Sequence, residues 1–429
     1  MDSAVQSPRS LFTFYIDQPP SCLAFCPTAP NHLLISTYLL TETPGEDSST
    51  PKSNRTGNLQ LFKFDPRLYH LSQVQQLSLD SAVFDFQFSP REPSLFAVAL
   101  STAVVSLYRI VTVNDGSDSA AEILFVRSIH VHEDAKQLVL FLAWIPYHGP
   151  VEAEHDTQGI KDGFAVSFPD GRVSIFCTRP GTEILDRDSL MSEIRLSGFP
   201  IEVWYVAFQL APLGDKQTPV LFAGDDMHHV RGVSLDQTAS AEDISSLSWQ
   251  IDDRGRYHDA GVTAILPLFT NEMGTILLTG SYDEHIRVYR FKTPCEVLAC
   301  KNLGGGVWRL KLIESKSSPG ADIDIPLERQ EGSKLTCSYL ILASCMHGGS
   351  RLLRITHSVS WEDSQCGEGK WEIDVLAEFK EHQSMNYASD FYRGEKEETG
   401  EADATTERII FCVTSSFYDK RVCVWKANI

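Results

Sequence analysis

The chain repeats one strand–turn–strand pattern seven times, and this repeat restricts its fold more strongly than any other feature of its 429 residues. Each copy has an apolar strand, a turn of small or polar residues and an alternating strand, commonly with an aromatic residue near its end. Alternation with a period of two, rich in β-branched and aromatic residues, is typical of half-buried β-strands. The copies occupy residues 57–65, 101–110, 167–178, 223–235, 279–291, 343–355 and 414–426.

A further short apolar strand precedes each copy, and no pattern of a long helix lies between them. Seven repeats of short strands separated by turns resemble the WD repeat, in which each unit forms a four-stranded blade. The sequence therefore predicts an all-β fold, a seven-bladed WD40-type β-propeller. The preceding strands are expected at 21–27, 82–90, 139–146, 202–209, 261–268, 306–313 and 385–392.

The repeats are longer than ordinary WD repeats. Seven copies in 429 residues average about 61 residues each, whereas about 40–45 is usual. Segments rich in Gly, Pro, Ser and Glu account for the excess and are expected to be flexible surface loops. They lie at about 41–56, 147–161, 313–334 and 393–407. We interpret residues 1–429 as a single propeller domain that carries these insertions.

The two ends of the chain are expected to meet in the last blade. Only four residues follow Trp425, too few for a fourth strand. Residues 11–17 have the alternating pattern that could supply it. Such pairing would close the ring and remove an exposed sheet edge.

Composition excludes several classes of function. A formal charge of −20 argues against nucleic acid as a partner, because binding phosphates requires Lys and Arg. The absence of an apolar run of 18 or more residues predicts no membrane span. Ten scattered cysteines without a CxxC pair predict free thiols in a reducing compartment, the cytoplasm. We expect no metal, no cofactor and a monomeric chain.

The turns of WD repeats give the first indication of a site. An Asp in the turn between the second and third strands commonly hydrogen-bonds a His in the loop before the first strand, because buried polar groups need partners. We interpret three such pairs as structural. They are His258 with Asp283, His382 with Asp419, and His132 with Asp170.

Three blades depart from this pattern, and such departures are where functional sites are expected. His347 stands where blade six should have its Asp, and His285 occupies a turn position usually held by a small polar residue. Blade four has Asp225 and Asp226 in its turn but no His in the preceding loop. Because blades four to six are neighbours, these side chains are predicted to gather on one compact face.

Four segments together resemble the WD-repeat diphthine methylesterase family. They read TGSYDEHI, GGGVWRLK, ASCMHGG and SSFYDKRVCVW. The resemblance implies a carboxyl-ester hydrolase of diphthamide biosynthesis. Its substrate would be methylated diphthine, a modified histidine of translation elongation factor 2, and its products diphthine and methanol.

The implied substrate carries a quaternary trimethylammonium group, which binds well among aromatic faces and carboxylates. Aromatic residues at the starts of first strands and in turns could form such a site, and the two acidic residues of blade four could add negative charge. The proposed substrate-binding residues are Asp225, Asp226, Tyr282, Trp308, Tyr387 and Tyr418, with Trp204 as a further aromatic candidate.

Two catalytic routes are compatible with the sequence, which has neither a G-x-S-x-G nor an H-E-x-x-H motif. In the first, His347 or His285 acts as general base on water, and backbone amides near 304–306 or 348–349 hold the oxyanion. In the second, Ser281 is a nucleophile activated by a nearby His. A different class of function is also open, a non-catalytic scaffold or adaptor that binds elongation factor 2 or other proteins.

Overall fold

Seven antiparallel β-sheets follow one another along the chain in the computed structural model. The described residues are 4–43, 52–114, 119–146, 162–178, 185–196, 199–213, 216–235, 249–317, 334–362, 365–366, 369–394 and 408–429. Within these ranges there are thirty strands, and the helical structure is one 3-10 turn at Arg187–Ser189. No helix in the described ranges is long and apolar enough to span a membrane.

The first three blades follow the N-terminal strand β1 (Phe12–Tyr15), which itself belongs to the last blade. Blade one contains β2 (Pro20–Cys26), β3 (Ala29–Thr37), β4 (Leu39–Thr43), β5 (Lys52–Asp65) and β6 (His70–Leu79). Blade two contains β7 (Val83–Phe88), β8 (Leu95–Leu100), β9 (Val104–Asn114) and β10 (Ser119–His130). Blade three contains β11 (Phe141–Trp144), β12 (Gly163–Ser167), β13 (Arg172–Cys177) and β14 (Leu190–Arg195).

The remaining four blades repeat this arrangement. Blade four contains β15 (Val203–Leu213), β16 (Lys216–Asp225), β17 (Val230–Ser234) and β18 (Ile251–Asp252), and blade five contains β19 (Val262–Asn271), β20 (Gly274–Ser281), β21 (His285–Phe291) and β22 (Glu296–Asn302). Blade six contains β23 (Arg309–Ser317), β24 (Lys334–Ser344), β25 (Ser350–Glu362), β26 (Gln365–Cys366) and β27 (Lys370–Phe379). Blade seven contains β28 (Asn386–Phe391), β29 (Ile409–Ser416) and β30 (Arg421–Asn428), with β1 as its outer strand.

The sheets form a closed ring, which confirms the predicted seven-bladed β-propeller. Contacts run around the circle through the first strands β2, β7, β11, β15, β19, β23 and β28, and back to β2. The predicted closure by residues 11–17 is also confirmed, since β1 pairs antiparallel with β30 from Phe12–Val424 to Tyr15–Arg421.

The core lies between neighbouring blades. Alternating side chains of one sheet pack on those of the next, as where the Phe222 and Phe291 rings of blades four and five meet edge to face at 5.2 Å. Burial of both faces explains the apolar patterns that mark the strands in the sequence. A rigid ring of this kind holds the turns at its two ends in a fixed order.

The insertions were predicted as loops, and this was wrong for residues 41–43, 52–56 and 313–317. Residues 39–43 and 52–56 are the arms of an antiparallel hairpin, from Leu39–Thr56 to Thr43–Lys52, in which β4 pairs with the first part of β5. Residues 313–317 extend β23 in the same way. The segments 44–51, 147–161, 318–333 and 395–407 lie outside the described residues.

The Asp–His pairs hold only in part. In blade three, His132 Nε2 lies 3.4 Å from Asp170 Oδ2. In blade five, His258 Nε2 instead meets Thr279 Oγ1 at 2.9 Å, and Asp283 accepts from the amide of Asp259 at 3.0 Å. The predicted direct bond between His258 and Asp283 was therefore wrong.

Blade seven repeats the arrangement of blade five. His382 Nε2 meets Thr414 Oγ1 at 2.8 Å, and Asp419 accepts from the amide of Gln383 at 3.1 Å, so this direct pair was wrong too. The physical reason is that each carboxylate has closer donors. Asp283, for example, takes two bonds from Arg287, at 2.7 and 3.0 Å. In both blades the acid ties the loop through its backbone.

Acid should destabilise the fold through the two buried histidines. Burial lowers the pKa of His258 to about 3 and that of His382 to about 4, below the ordinary 6.5. Each is neutral when folded, so its contribution to stability is complete above about pH 6.5 and is lost as pH falls towards the folded pKa. For His382 we expect a loss of about 2 kcal/mol between pH 7 and 4.5.

Urea unfolding at several pH values measures this loss, and His382→Asn should flatten the dependence. Asp283 does not contribute to the pH dependence of stability in this range. Burial acts to raise the pKa of Asp283, but hydrogen bonds from Arg287 and from backbone amides outweigh it and lower the pKa to about 2. The contribution of Asp283 to stability therefore falls only below about pH 4. An equally steep pH dependence in wild type and variant would contradict the prediction.

Candidate functional site

The candidate site lies on the end of the propeller that carries the turns between second and third strands, which we call the top face. These turns include residues 282–284 in blade five, 345–349 in blade six and 417–420 in blade seven. The first strand of every blade also begins at this end. Short turns bring residues from distant parts of the sequence together here, because the ring fixes where each blade starts.

Three aromatic rings form a cluster on the top face, which we call the aromatic cage. Trp204 begins blade four, Tyr282 lies in the turn of blade five, and Trp308 precedes β23 of blade six. Their ring centroids are 5.9 Å apart for Trp204–Tyr282 and Trp204–Trp308, and 6.0 Å for Tyr282–Trp308. All three are half-buried, so each keeps some ring surface for a ligand.

The ring contacts continue beyond the cage. Trp308 meets Tyr387 at 5.1 Å, Tyr387 meets Phe417 at 5.5 Å, and Phe417 meets Tyr418 at 5.1 Å. Tyr387 lies inside this row, whereas Tyr418 is 70% exposed at its rim.

Phe417 was missed by the sequence reasoning, as were two rings of the first two blades. Phe417 also contacts Tyr38 of blade one at 6.3 Å, and Tyr38 contacts Phe84 of blade two at 5.0 Å. These three rings could have been predicted from their positions. Each lies at the start of a first strand or just after a second strand, as do the aromatic residues that the sequence analysis named.

Negative charge stands beside the cage. Asp226 Oδ1 accepts a 2.8 Å hydrogen bond from Trp204 Nε1, so this carboxylate lies at the aromatic cage. Burial raises the pKa of Tyr282, and the neighbouring Tyr387 and Asp226 raise it further, with a smaller effect from Glu202. Glu202 is a second acidic group of this region that the sequence reasoning missed. A cage with two carboxylates nearby favours a cationic ligand.

Asp225 does not belong to this surface. It is 0% exposed, its carboxylate is ion-paired with Arg231, and it accepts the amide of His229 at 3.1 Å. Its assignment to substrate binding was therefore wrong. A buried carboxylate that is paired with a guanidinium has its hydrogen bonds satisfied within the fold, so it is not accessible to a ligand.

His347 projects from the turn of blade six towards blade five. Its side chain is 59% exposed, and Nε2 lies 3.4 Å from Glu284 Oε1. Glu284 in turn accepts from Asn302 Nδ2 at 3.4 Å. A carboxylate beside an imidazole orients the ring and stabilises its protonated form, as in the base–acid pairs of hydrolases. Glu284 is a functional candidate that the sequence reasoning missed.

His285 lies one residue after Glu284 and is 33% exposed at its side chain. Its Nδ1 is 2.7 Å from the backbone carbonyl of Asp283, so Nδ1–H donates and Nε2 keeps its lone pair. His285 could therefore accept a proton, but among the described residues no carboxylate pairs with its Nε2. The structure brings His285 and His347 to the two sides of Glu284 in the same region of the top face.

Ser281 is placed differently. It is 0% exposed, its hydroxyl donates to the carbonyl of Ala260 at 2.9 Å, and the same oxygen accepts from the amide of Asp283 at 3.1 Å. Both roles stabilise the turn of blade five. A nucleophile must reach its substrate, and this hydroxyl is enclosed by the fold, so the geometry favours the water route.

The glycine segments that were expected to hold an oxyanion divide into two groups. The amides of Gly304, Gly348 and Gly349 already donate, to Asn302 Oδ1 and to the carbonyls of Cys345 and Met346. The hydrogen bonds of the described residues do not use the amides of Gly305 and Gly306. Both glycines are buried, and their amides are the ones in these two segments without a partner among the hydrogen bonds of the described residues.

Gly305 and Gly306 also join the parts of the site. A Cβ on Gly305 would lie 2.2 Å from the carbonyl oxygen of Cys345, so only glycine allows this approach. A Cβ on Gly306 would lie 2.7 Å from Met346 Sδ and 3.5 Å from Tyr282 Cα. The segment thus passes between the turn that carries His347 and the turn that carries Tyr282.

One group of possible metal ligands occurs among the described residues, on blade four. Ligand atoms of His229, Asp252 and Asp253 lie within 4.8 Å of one another. The guanidinium of Arg231 already occupies this group, with contacts of 3.0 Å to Asp252 and 2.8 Å to His229. A cation in that position leaves the group little attraction for a second one.

A cavity of about 490 Å³ runs down the centre of the ring. Tyr387 lines it and also belongs to the aromatic row, so the cavity and the row share this residue. Its charged lining residues include Arg309, Lys311, Asp85 and Asp390. The top face therefore combines a cage for a cation, a histidine beside a carboxylate and two backbone amides without partners among the described residues, a set of groups that can bind a quaternary ammonium and hydrolyse a nearby ester.

Comparison with known proteins agrees with this arrangement. Three curated proteins named diphthine methyltransferase are similar to the chain. The one from Schizosaccharomyces pombe is 27% identical over 96% of both chains. The one from Saccharomyces cerevisiae is 25% identical over 84% of this chain and 92% of its own length, and the one from Mus musculus is 26% identical over 84% and 64%. No family model matches the chain.

Solved structures support the fold. Sqt1 from Saccharomyces cerevisiae covers 98% of the chain with a TM-score of 0.50 and 13% identity, and Sqt1 from Chaetomium thermophilum covers 98% with a TM-score of 0.52 and 12% identity. At this identity the likeness concerns the fold alone. The relatives match 84–96% of the chain at 25–27% identity, so over most of its length the chain is similar to proteins named diphthine methyltransferase, a likeness that points to diphthamide biosynthesis.

Proposed function

We propose that this protein is a carboxyl-ester hydrolase that demethylates the diphthine methyl ester on translation elongation factor 2, giving diphthine and methanol. The observation that carries the proposal is the aromatic cage with Asp226 beside it, next to the His347–Glu284 pair. The cage suits the trimethylammonium group of methylated diphthine. The histidine suits activation of water at an ester held close to that cation.

In the proposed reaction His347 takes a proton from water as the water oxygen attacks the ester carbonyl. Glu284 holds the imidazole and stabilises its protonated form. The negative charge that develops on the carbonyl oxygen is held by the amides of Gly305 and Gly306. Collapse of the intermediate breaks the acyl–oxygen bond, and the proton on His347 passes to the departing methoxide, so that methanol leaves and the new carboxylic acid on the substrate loses its proton to solvent.

The protein partner in this proposal is elongation factor 2 itself. A formal charge of −20 and the acidic groups at the cage favour a cationic modified loop over an acidic one. We also propose a cytoplasmic location, since the nine cysteines whose side chains are described are all free thiols.

The names of the relatives refer to methyl transfer, and the route by which the methyl group leaves can be measured. Purified chain is mixed with elongation factor 2 that carries the diphthine methyl ester, in heavy-oxygen water without added metal. Hydrolysis at the carbonyl should remove one methylene mass, release ordinary methanol and place the heavy oxygen in the new carboxylate. Heavy methanol would instead indicate attack on the methyl carbon.

Two results would overturn the proposal. Transfer of the methyl group to another acceptor, with no methanol, would identify a transferase. Tight binding of elongation factor 2 with no change in mass would favour the non-catalytic adaptor. Factor that lacks the methyl ester serves as the matched control for binding and for background methanol.

A further inference from the structure

Arg309 stands directly below the aromatic cage, at the start of the first strand of blade six. Its guanidinium carbon lies 4.7 Å from the centroid of the Trp308 ring, 4.7 Å from Phe141 and 5.4 Å from Tyr205. Its Nη1 donates to the carbonyls of Trp308 and Thr263 at 2.9 and 3.4 Å. Rings and carbonyls therefore hold the planar group in one position.

This guanidinium differs from the other arginines near the top face. Arg172, Arg231 and Arg287 are each paired with the Asp of their own turn. Arg309 takes part in none of the ion pairs between described residues. Of its five N–H donors, those of Nη1 are the ones that hydrogen-bond other described residues. A fixed guanidinium with donors left over is suited to a planar, two-oxygen acceptor such as a carboxyl group.

The central cavity gives such an acceptor a place. Arg309 lines it together with Lys311, which lies two residues deeper on the same strand, about 7 Å away. Lys311 is held by Asp390 at 3.0 Å, so its charge is already balanced. Burial raises the pKa of Asp85, the other acidic lining residue, while the positive charge of Arg309 lowers it. Arg309 lies near Asp85 but forms no ion pair with it among the described residues, so its guanidinium keeps donors for a further acceptor.

We infer that Arg309 binds the carboxyl end of the substrate, so that the cage and Arg309 together recognise a quaternary ammonium and a carboxyl group on one short side chain. The inference rests on the proposed function and adds to it the residue that recognises the reacting carboxyl end of the substrate. The guanidinium carbon lies 4.7 Å from the centroid of the Trp308 ring. A ligand that contacts both groups therefore carries its positive and negative charges close together, as a betaine does. Arg309 is a specificity-determining residue in this arrangement, and it favours the carboxylate product over a ligand that is only a cation.

The test measures binding without turnover. Trimethylglycine has both groups, tetramethylammonium has only the cation, and acetate has only the carboxylate. Each is titrated into the full chain by calorimetry and by tryptophan fluorescence. We expect trimethylglycine to bind about tenfold more tightly than tetramethylammonium, and Arg309→Gln to abolish this difference while leaving tetramethylammonium binding within about twofold.

Controls separate this result from loss of folding and from failure of the proposed function. Arg309→Lys keeps the charge without the planar fork, so it should retain only part of the preference, and thermal unfolding checks both variants. Equal binding of the two ammonium ligands to wild type, or an unchanged preference in Arg309→Gln, would overturn the inference. An intact preference in a chain without esterase activity would reject the proposed hydrolysis and leave the binding inference standing.

Discussion

Replacing His347 with alanine should lower kcat for ester hydrolysis by roughly 100- to 10,000-fold, the usual contribution of a general base. The fold should be unaffected, since the side chain is 59% exposed and its recorded contact is the ion pair with Glu284. KM should change little, because His347 lies outside the aromatic cage. Steady-state release of methanol from methylated elongation factor 2 measures both parameters, and circular dichroism checks the fold.

Three matched variants make this result specific. His130→Ala removes an exposed histidine at the end of β10 and should leave kcat unchanged. Glu284→Gln keeps the size of the positioning residue but removes its charge, so kcat should fall less than in His347→Ala. If His285→Ala abolishes turnover while His347→Ala retains it, the base is His285. If His347→Ala and His285→Ala both unfold, the two histidines have structural roles and the catalytic assignment is wrong.

Replacing Trp308 with alanine should raise KM for the methylated factor by roughly thirtyfold, equivalent to about 2 kcal/mol of cation–π attraction in a partly desolvated site. Trp308 is the centre of the aromatic row, with ring contacts to Trp204, Tyr282 and Tyr387. The effect should appear mainly in KM, since the ring contacts the cation and not the ester. Steady-state kinetics, supported by calorimetric titration of tetramethylammonium, measures it.

A conservative variant and a remote one separate cation binding from packing. Trp308→Phe keeps an aromatic face and should recover most of the affinity. Phe125→Ala removes a ring that is 59% exposed on the outer strand of blade two and should change neither parameter. An unchanged KM in Trp308→Ala, with the protein folded, would show that the cage does not bind the substrate.

The seven blades and their closure were predictable because they depend on local patterns. Period-two alternation shows which face of a strand is buried, and the pattern survives long insertions. The N-terminal strand was found by the same reasoning, since blade seven ended without an outer strand. The family resemblance depended on the turns GSYDEH and CMHGG, whose residues are adjacent in the sequence.

The aromatic cage was only partly predictable. Tyr282, Trp308 and Tyr387 were recognised from their positions at turns and strand starts. Phe417 was not, although it contacts Tyr387 at 5.5 Å, because sequence position indicates the end of the blade a residue occupies but not the rings it meets. Contacts across the top face join blades that are far apart in the chain.

The partners of the charged groups were decided by the tertiary structure alone. Asp225 and Asp226 are adjacent and chemically identical, yet one is buried against Arg231 and the other accepts from Trp204 at 2.8 Å. Strand alternation sends neighbouring side chains in different directions, and the ring determines what each of them meets. The sequence by itself therefore determined the propeller and the face that carries the site. Which groups are left free to act there depends on which donors and acceptors the closed ring has already paired, because a polar group enclosed by the fold must be satisfied within it.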